Sequence, residues 1–164
     1  MERILVSACL MGRKVRYDGR AKTSADAWLA AWREEGRLVP FCPEVAGGLA
    51  IPRPAAEIEG GAGGAAVLSG AARVLATDGS DVTAEFVAGA RAALAAARSA
   101  GVRLAVLKEG SPSCGVLAVY DGTFSGGRVP GQGVTTALLE SEGIRVFDED
   151  HIAEAAGYLR TLET

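Results

Sequence analysis

The chain has 164 residues, a formal net charge of −3 and 49% hydrophobic residues. A chain of this length buries about 70% of its unfolded surface around one core, so neither a disulfide nor a metal ion is required merely for folding. The negative charge argues against a general nucleic-acid-binding protein, which would normally carry a basic patch or stripe. We expect one domain over residues 1–164.

The chain starts with a short apolar run, residues 3–8, which predicts a buried parallel strand ending at Cys9. Residues 6–9 resemble a bacterial lipoprotein cleavage box, but a secretory signal needs about 7–15 apolar residues before it, and only residues 4–6 are available. No segment reaches the ~20 apolar residues of a membrane helix. The cysteines are odd in number and far apart, unlike a secreted disulfide framework, so we expect a cytoplasmic protein with reduced thiols and no membrane association.

A polar loop over residues 10–20 follows the first strand and is predicted to cover a site. It contains most of a basic cluster formed by Arg13, Lys14, Arg16, Arg20 and Lys22. Such a cluster usually faces solvent, but it would also hold an anionic or polar substrate. An RNA-associated binding domain that uses this cluster is an alternative, which salt-dependent binding of tRNA would reveal.

Strands and helices alternate through the rest of the chain. Helices are predicted at residues 26–33, 134–142 and 152–162, and a long helix capped by Ser80 or Asp81 is predicted to run to Ser99. Strands are predicted at residues 38–41, 73–77, 104–107 and 144–147. The strands at 73–77 and 104–107, with a helix between them, predict a right-handed parallel crossover. The whole alternation predicts a three-layer α/β domain of Rossmann-like form, with a mostly parallel sheet and helices on both faces.

The stretch that follows the strand at 38–41 begins with Cys42. Residues 43–58 are rich in proline and glycine, which excludes a long regular element. An irregular stretch of this length inside a compact domain is usually either functional or disordered. Its apolar residues and the spaced charges Glu44, Arg53 and Glu57 favour an ordered, functional segment.

A tight polar loop ending in Cys114 follows the strand at 104–107. Pro112 fixes its own φ, while Gly110 and Gly115 tolerate positive φ. This turn carries two hydroxyl groups and a thiol, on Ser111, Ser113 and Cys114. A hydrophobic core does not require such a concentration of polar and reactive groups. The alternative is a structural turn with a buried thiol, because a free cysteine behaves as a small hydrophobic residue.

The three cysteines share one feature, since each follows the carboxyl end of a predicted strand. Ligands of open α/β sheets bind at that edge, so we expect Cys9, Cys42 and Cys114 to converge. A 4Fe–4S cluster normally takes four cysteines, so three would leave one iron open to a substrate atom. Zinc is the second alternative, although its sites usually contain local cysteine pairs. A metal-free cysteine nucleophile is the third, without a recognisable histidine partner, because His151 is predicted to be a capping or surface residue.

Several longer motifs, taken together, resemble the bacterial thiouracil desulfidase family, and they cover nearly the whole chain. They are Ser7-Ala8-Cys9-Leu10, Arg16-Tyr17-Asp18-Gly19, Cys42-Pro43-Glu44-Val45, Gly47-Gly48-Leu49, Pro52-Arg53, Asp78-Gly79-Ser80-Asp81-Val82-Thr83, Leu107-Lys108, Ser111-Pro112-Ser113-Cys114-Gly115 and Tyr120-Asp121-Gly122-Thr123-Phe124.

The resemblance implies an oxygen-sensitive 4Fe–4S cluster whose ligands are Cys9, Cys42 and Cys114. It implies a small-molecule thiobase or thionucleoside substrate, such as 2-thiouracil, which would be converted to the oxo base and sulfide. No stable nucleic-acid complex is expected. The competing class is a non-catalytic zinc- or cluster-binding module for redox sensing or partner interaction.

The resemblance also assigns roles to four polar residues. Glu44 matches the family's acidic residue and would shuttle protons, and Ser111 matches its active-site serine and would orient substrate or water. Asp18 and Ser113 are expected to bind substrate.

Overall fold

The computed structural model describes residues 1–164 and contains eight strands and six α-helices. The strands are β1 (Ile4–Ser7), β2 (Leu38–Phe41), β3 (Ala56–Ile58), β4 (Val74–Ala76), β5 (Leu104–Leu107), β6 (Ala118–Tyr120), β7 (Arg128–Pro130) and β8 (Arg145–Asp148). The helices are α1 (Ala27–Glu34), α2 (Pro43–Ala46), α3 (Gly64–Leu68), α4 (Thr83–Ser99), α5 (Val134–Ser141) and α6 (Ile152–Leu162).

Four parallel strands form the central sheet in the order β2-β1-β5-β8. Val6 of β1 is aligned with Pro40 of β2 and Val106 of β5. Strand β2 lies at the edge of the sheet, where a proline does not cost a ladder hydrogen bond. The carboxyl ends of β2, β1 and β5 therefore lie side by side.

Apolar side chains fill both faces of this sheet because successive residues of a strand point to opposite sides. Ile4 and Val6 face α1 and α6, where they pack with Trp32 and Ile152. Leu5 faces the other way, in a cluster that contains residues of α4 and α5. The predicted α/β fold, with a parallel sheet between two helical layers, is confirmed.

The predicted parallel crossover between residues 73–77 and 104–107 is wrong. Strand β4 does not join the central sheet but pairs antiparallel with β3, with Ala76 opposite Ala56. The side chain of Thr83, at the start of α4, accepts a hydrogen bond from the backbone N–H of Val74 at 2.9 Å. The hydrophobic pattern of so short a strand predicts its conformation but not its partner. A second two-stranded antiparallel sheet forms between β6 and β7.

None of the helices is both long enough and apolar enough to cross a lipid bilayer.

Two glycines bring α2, which carries Glu44, into close contact with α4. A Cβ atom on Gly89 would overlap the carbonyl oxygen of Pro43, and one on Gly47 would overlap that of Glu85. The backbones meet with no room for a side chain, so this contact fixes the position of the segment that begins at Cys42.

We expect Gly89→Ala to lower the free energy of unfolding by about 1–3 kcal/mol, because a methyl group does not fit between the two backbones. Gly157→Ala is the matched control, since its Cβ would lie 3.7 Å from the nearest atom, Nη2 of Arg160. Gly157 lies inside α6, where alanine is favoured over glycine by about 0.5–1 kcal/mol. Urea unfolding of wild type and the two variants measures both changes, and equal stability of the two variants would contradict the close contact.

Candidate metal centre

A cavity of about 260 Å³ lies at the carboxyl edge of the central sheet. Cys9, Cys42 and Cys114 all line it, together with Glu44 and others. Cys9 lies in a 3-10 turn directly after β1, Cys42 directly follows β2, and Cys114 ends the loop after β5. The structure therefore brings three thiols that are distant in the sequence to one cavity, from three neighbouring strands.

All three cysteines are free thiols, and burial is the largest influence on the pKa of each. Burial raises the pKa of Cys9 to about 11 and that of Cys114 to about 12. Burial also raises the pKa of Cys42, although a hydrogen bond from the backbone of Val45 opposes the shift. A positively charged metal centre reverses this preference, because metal ligation requires and stabilises the thiolate.

The loop that carries Cys114 is held in shape by the carboxylate of Glu109. That carboxylate accepts hydrogen bonds from the backbone N–H groups of Gly110 at 3.0 Å, Val116 at 2.7 Å and Leu117 at 3.0 Å. Burial alone would raise the pKa of Glu109, but the backbone hydrogen bonds from Val116, Leu117 and Gly110 and a side-chain hydrogen bond with Asp148 together lower that pKa. Glu109 was not predicted as a site residue, since its only signal in the sequence is an acidic residue just beyond a strand end.

The start of α5 holds the same loop from the other side. The backbone N–H groups of Val134 and Thr135 donate to the carbonyl oxygens of Pro112 at 2.8 Å and Ser113 at 2.9 Å. Helix N-termini leave such N–H groups without partners inside the helix, and here the loop satisfies them. The backbone of the loop that carries Cys114 is therefore held by the Glu109 carboxylate on one side and by the start of α5 on the other.

A chain of hydrogen bonds connects Glu44 to the Cys114 loop. The hydroxyl of Ser113 donates to Oε2 of Glu44 at 2.7 Å, and Oγ of Ser111 lies 3.1 Å from Oγ of Ser113. Ser111 also accepts a hydrogen bond from the backbone N–H of Cys114 at 2.8 Å. The cavity is lined by Glu44, Ser111 and Ser113. Of these, Ser113 is almost completely buried.

The structure does not bring Asp18 into this cavity. Its side chain is exposed and accepts a hydrogen bond from the backbone N–H of Arg20 at 3.0 Å, which is a turn contact. His151 also lies outside the cavity, at the residue before α6, where its Nδ1 is 2.7 Å from Oδ1 of Asp148.

Three further basic residues line the cavity, and none of them was predicted as a site residue by itself. Arg53 pairs with Glu44, and Nζ of Lys108 lies 3.6 Å from the carboxylate of Glu149. The guanidinium group of Arg128 stacks over the ring of Tyr120, 5.1 Å from its centroid. The sequence signal for Arg53 was its position among the spaced charges after Cys42.

The donor set fits an iron–sulfur cluster better than a single zinc ion. No three His, Cys, Asp or Glu side chains lie in an arrangement that would hold one metal ion. Zinc–sulfur bonds of about 2.3 Å in a tetrahedral site would require sulfur atoms about 3.8 Å apart. Three converging thiols in a cavity of about 260 Å³ suit a larger centre, and thiolates are the ligands that such clusters take.

Comparisons with known proteins agree with this geometry. The family model described as 2-thiouracil desulfurase matches residues 4–151. An uncharacterized protein of Bacillus subtilis (strain 168), YbbK, is 43% identical over 149 residues, which are 91% of this chain and 97% of that protein. The solved structure of TudS, a 4Fe–4S-dependent thiouracil desulfidase, is 49% identical with a TM-score of 0.89, and the match covers 98% of this chain and 99% of that one. The chain therefore belongs to the 2-thiouracil desulfurase family.

Proposed function

We propose that this protein removes sulfur from 2-thiouracil or a related thiolated base, with a 4Fe–4S cluster bound by Cys9, Cys42 and Cys114. The observation that carries the proposal is the convergence of three free thiols on one cavity that also holds a hydrogen-bonded carboxylate, Glu44. Membership of the family and 49% identity to a 4Fe–4S-dependent thiouracil desulfidase support it.

The reaction is a hydrolysis without net oxidation or reduction. The oxygen of one water molecule replaces sulfur at carbon, and sulfur leaves as hydrogen sulfide with the two hydrogens of that water. When bound, a cluster with three protein ligands has one iron free to act as a Lewis acid on the substrate sulfur.

Glu44 transfers the protons of the reaction, and the two serines in its chain of hydrogen bonds have supporting roles. Glu44 accepts a proton from the attacking water and returns it to the departing sulfur, as a general base and then a general acid. Because Ser113 donates its only hydroxyl hydrogen to Glu44, it accepts one from Ser111. Ser111 also accepts from the backbone N–H of Cys114, which leaves it one lone pair with which to accept from substrate or water and orient it. Ser113 connects Ser111 to Glu44 and does not itself bind substrate.

The substrate class we propose is a free thiobase or thionucleoside, and not a stable nucleic-acid complex. The cavity is small, and Tyr17 and Tyr120 supply aromatic surface among its lining residues. The net charge of −3 supports the absence of a general nucleic-acid-binding role. We further propose that the protein acts in the cytoplasm, where its three thiols stay reduced.

Turnover of 2-thiouracil by protein reconstituted with iron and sulfide in the absence of oxygen tests this function. We expect uracil and sulfide to appear in equal amounts over many turnovers, and the protein to show the broad visible absorption of an iron–sulfur cluster. Zinc-loaded protein is the control and is expected to release no sulfide. Stoichiometric zinc binding in protein purified without air, with no sulfide release from any thiobase, would instead favour the non-catalytic module.

A further inference from the structure

We propose that Arg53 is the positioning residue that fixes the Glu44 carboxylate with its Oε2 atom towards Ser113. The inference rests on the proposed function, because it concerns the residue that handles protons there. It assigns a role in the reaction to a side chain that makes no hydrogen bond to the cysteines and acts only through Glu44.

The guanidinium group of Arg53 is nearly buried, and each of its three nitrogen atoms has a partner. Its Nε and Nη2 atoms lie 3.1 and 3.0 Å from Oε1 of Glu44. Nη1 donates to the carbonyl oxygen of Ala50 at 3.0 Å, and Nη2 donates to that of Val15 at 3.0 Å. The side chain is only 6% exposed, against 15% for Glu44. Such a fork has a fixed orientation, since its planar donors cannot rotate independently.

The two oxygens of Glu44 are thereby given different partners. Arg53 occupies Oε1 with a hydrogen bond from Nε and an ion-pair contact from Nη2, so Oε2 is the oxygen left for Ser113. Glu44 lies in the first turn of a helix of four residues, which by itself gives its side chain little support. The orientation of the carboxylate is set by Arg53 on one side and Ser113 on the other.

A purely structural role is the competing explanation, because Arg53 also joins the loop before Tyr17 to the loop after Cys42. However, the backbone already makes this connection, since the N–H of Arg53 donates to the carbonyl oxygen of Tyr17 at 2.8 Å. Removing the side chain leaves that bond in place. The two roles therefore predict different results for the same variants.

The test is a cycle of Arg53→Met, Glu44→Gln and the double variant in the cluster-loaded protein. We expect Arg53→Met to lower kcat per cluster about 100-fold, the scale of a misplaced catalytic group, with KM and iron content unchanged. In the Glu44→Gln background we expect Arg53→Met to cause no further loss. Arg98→Met is the control, since Arg98 pairs with Glu142 on the exposed surface, and it should match wild type.

Three outcomes would overturn the proposal. The first is that Arg53→Met causes an equal further loss of kcat in the Glu44→Gln background. The second is that Arg53→Met lowers the iron content or the unfolding temperature but leaves kcat per cluster unchanged, and the third is that it has no effect at all. We expect Arg53→Lys to recover only part of the activity, because an ammonium group cannot reproduce the fork.

A crystal structure of Arg53→Met separates this inference from the proposed function, because it needs no turnover. We expect the Glu44 carboxylate to leave hydrogen-bonding distance of Ser113 Oγ. A carboxylate that keeps this contact would overturn the positioning role even if the protein releases sulfide, and a displaced carboxylate would support it even if 2-thiouracil is not a substrate.

Discussion

Replacement of any one of the three cysteines by alanine is expected to abolish cluster binding and to reduce sulfide release from 2-thiouracil below detection. The chain contains only three cysteines, so no other thiol can substitute for the one removed. Two ligands from separate strands would hold the cluster poorly against loss to solvent. Iron and acid-labile sulfide content, measured together with visible absorption after oxygen-free reconstitution, checks this expectation for Cys9, Cys42 and Cys114 separately.

Loss of the cluster must be distinguished from loss of the fold. Cys9 and Cys114 are each part of an apolar cluster, one on each face of the sheet. Their replacement by alanine removes one atom from the core, and we expect it to cost about 1 kcal/mol of stability, comparable to one buried methylene. Thermal unfolding of cluster-free wild type and variants supplies the control. A well-folded variant that binds a full complement of iron would show that its cysteine is not a ligand.

The convergence of the thiols was predictable because the central strands have a strong local signature. The runs at 38–41 and 104–107 are strands with the same bounds in the structure, and the helix at 152–162 is also reproduced. Neighbouring parallel strands end at one edge, so residues that follow them meet whatever their separation in sequence. The cysteines were placed by this rule, without any knowledge of their contacts.

Strand pairing and side-chain contacts were harder to predict from the sequence, because they depend on residues that are distant in the chain. The apolar run at 73–77 gives no indication that β4 would pair with β3 outside the main sheet. Ser113 was expected to bind substrate, yet its hydroxyl is turned to Glu44, which is 69 positions away in the chain. The resemblance to the family placed Asp18 near the substrate, whereas the structure uses its carboxylate within an exposed turn. Such contacts are decided by packing between loops, which local pattern does not encode.

Glu44→Gln is expected to keep the cluster and to lower kcat about 10²–10⁴-fold, the usual contribution of a general acid–base group. Glutamine has the size of glutamate, and its amide oxygen can face Arg53 while its NH2 group donates to the hydroxyl of Ser113. The amide, however, cannot take a proton from water. Sulfide release per cluster from 2-thiouracil measures the effect. Glu59→Gln is the matched control, because Glu59 pairs with Arg73 on the surface, away from the cavity.

Stability and turnover need separate measurement in Glu44→Gln, because the same substitution leaves Arg53 without its counter-ion. Removing one partner of a buried ion pair costs about 3–5 kcal/mol. The cost here should be smaller, since Arg53 keeps the carbonyl oxygens of Val15 and Ala50 as partners. If instability alone reduced activity, Glu44→Gln would recover when Arg53→Met removes the unpaired charge. If proton transfer is what is lost, the double variant regains stability but not turnover, and unchanged turnover in Glu44→Gln itself would exclude Glu44 from the chemistry.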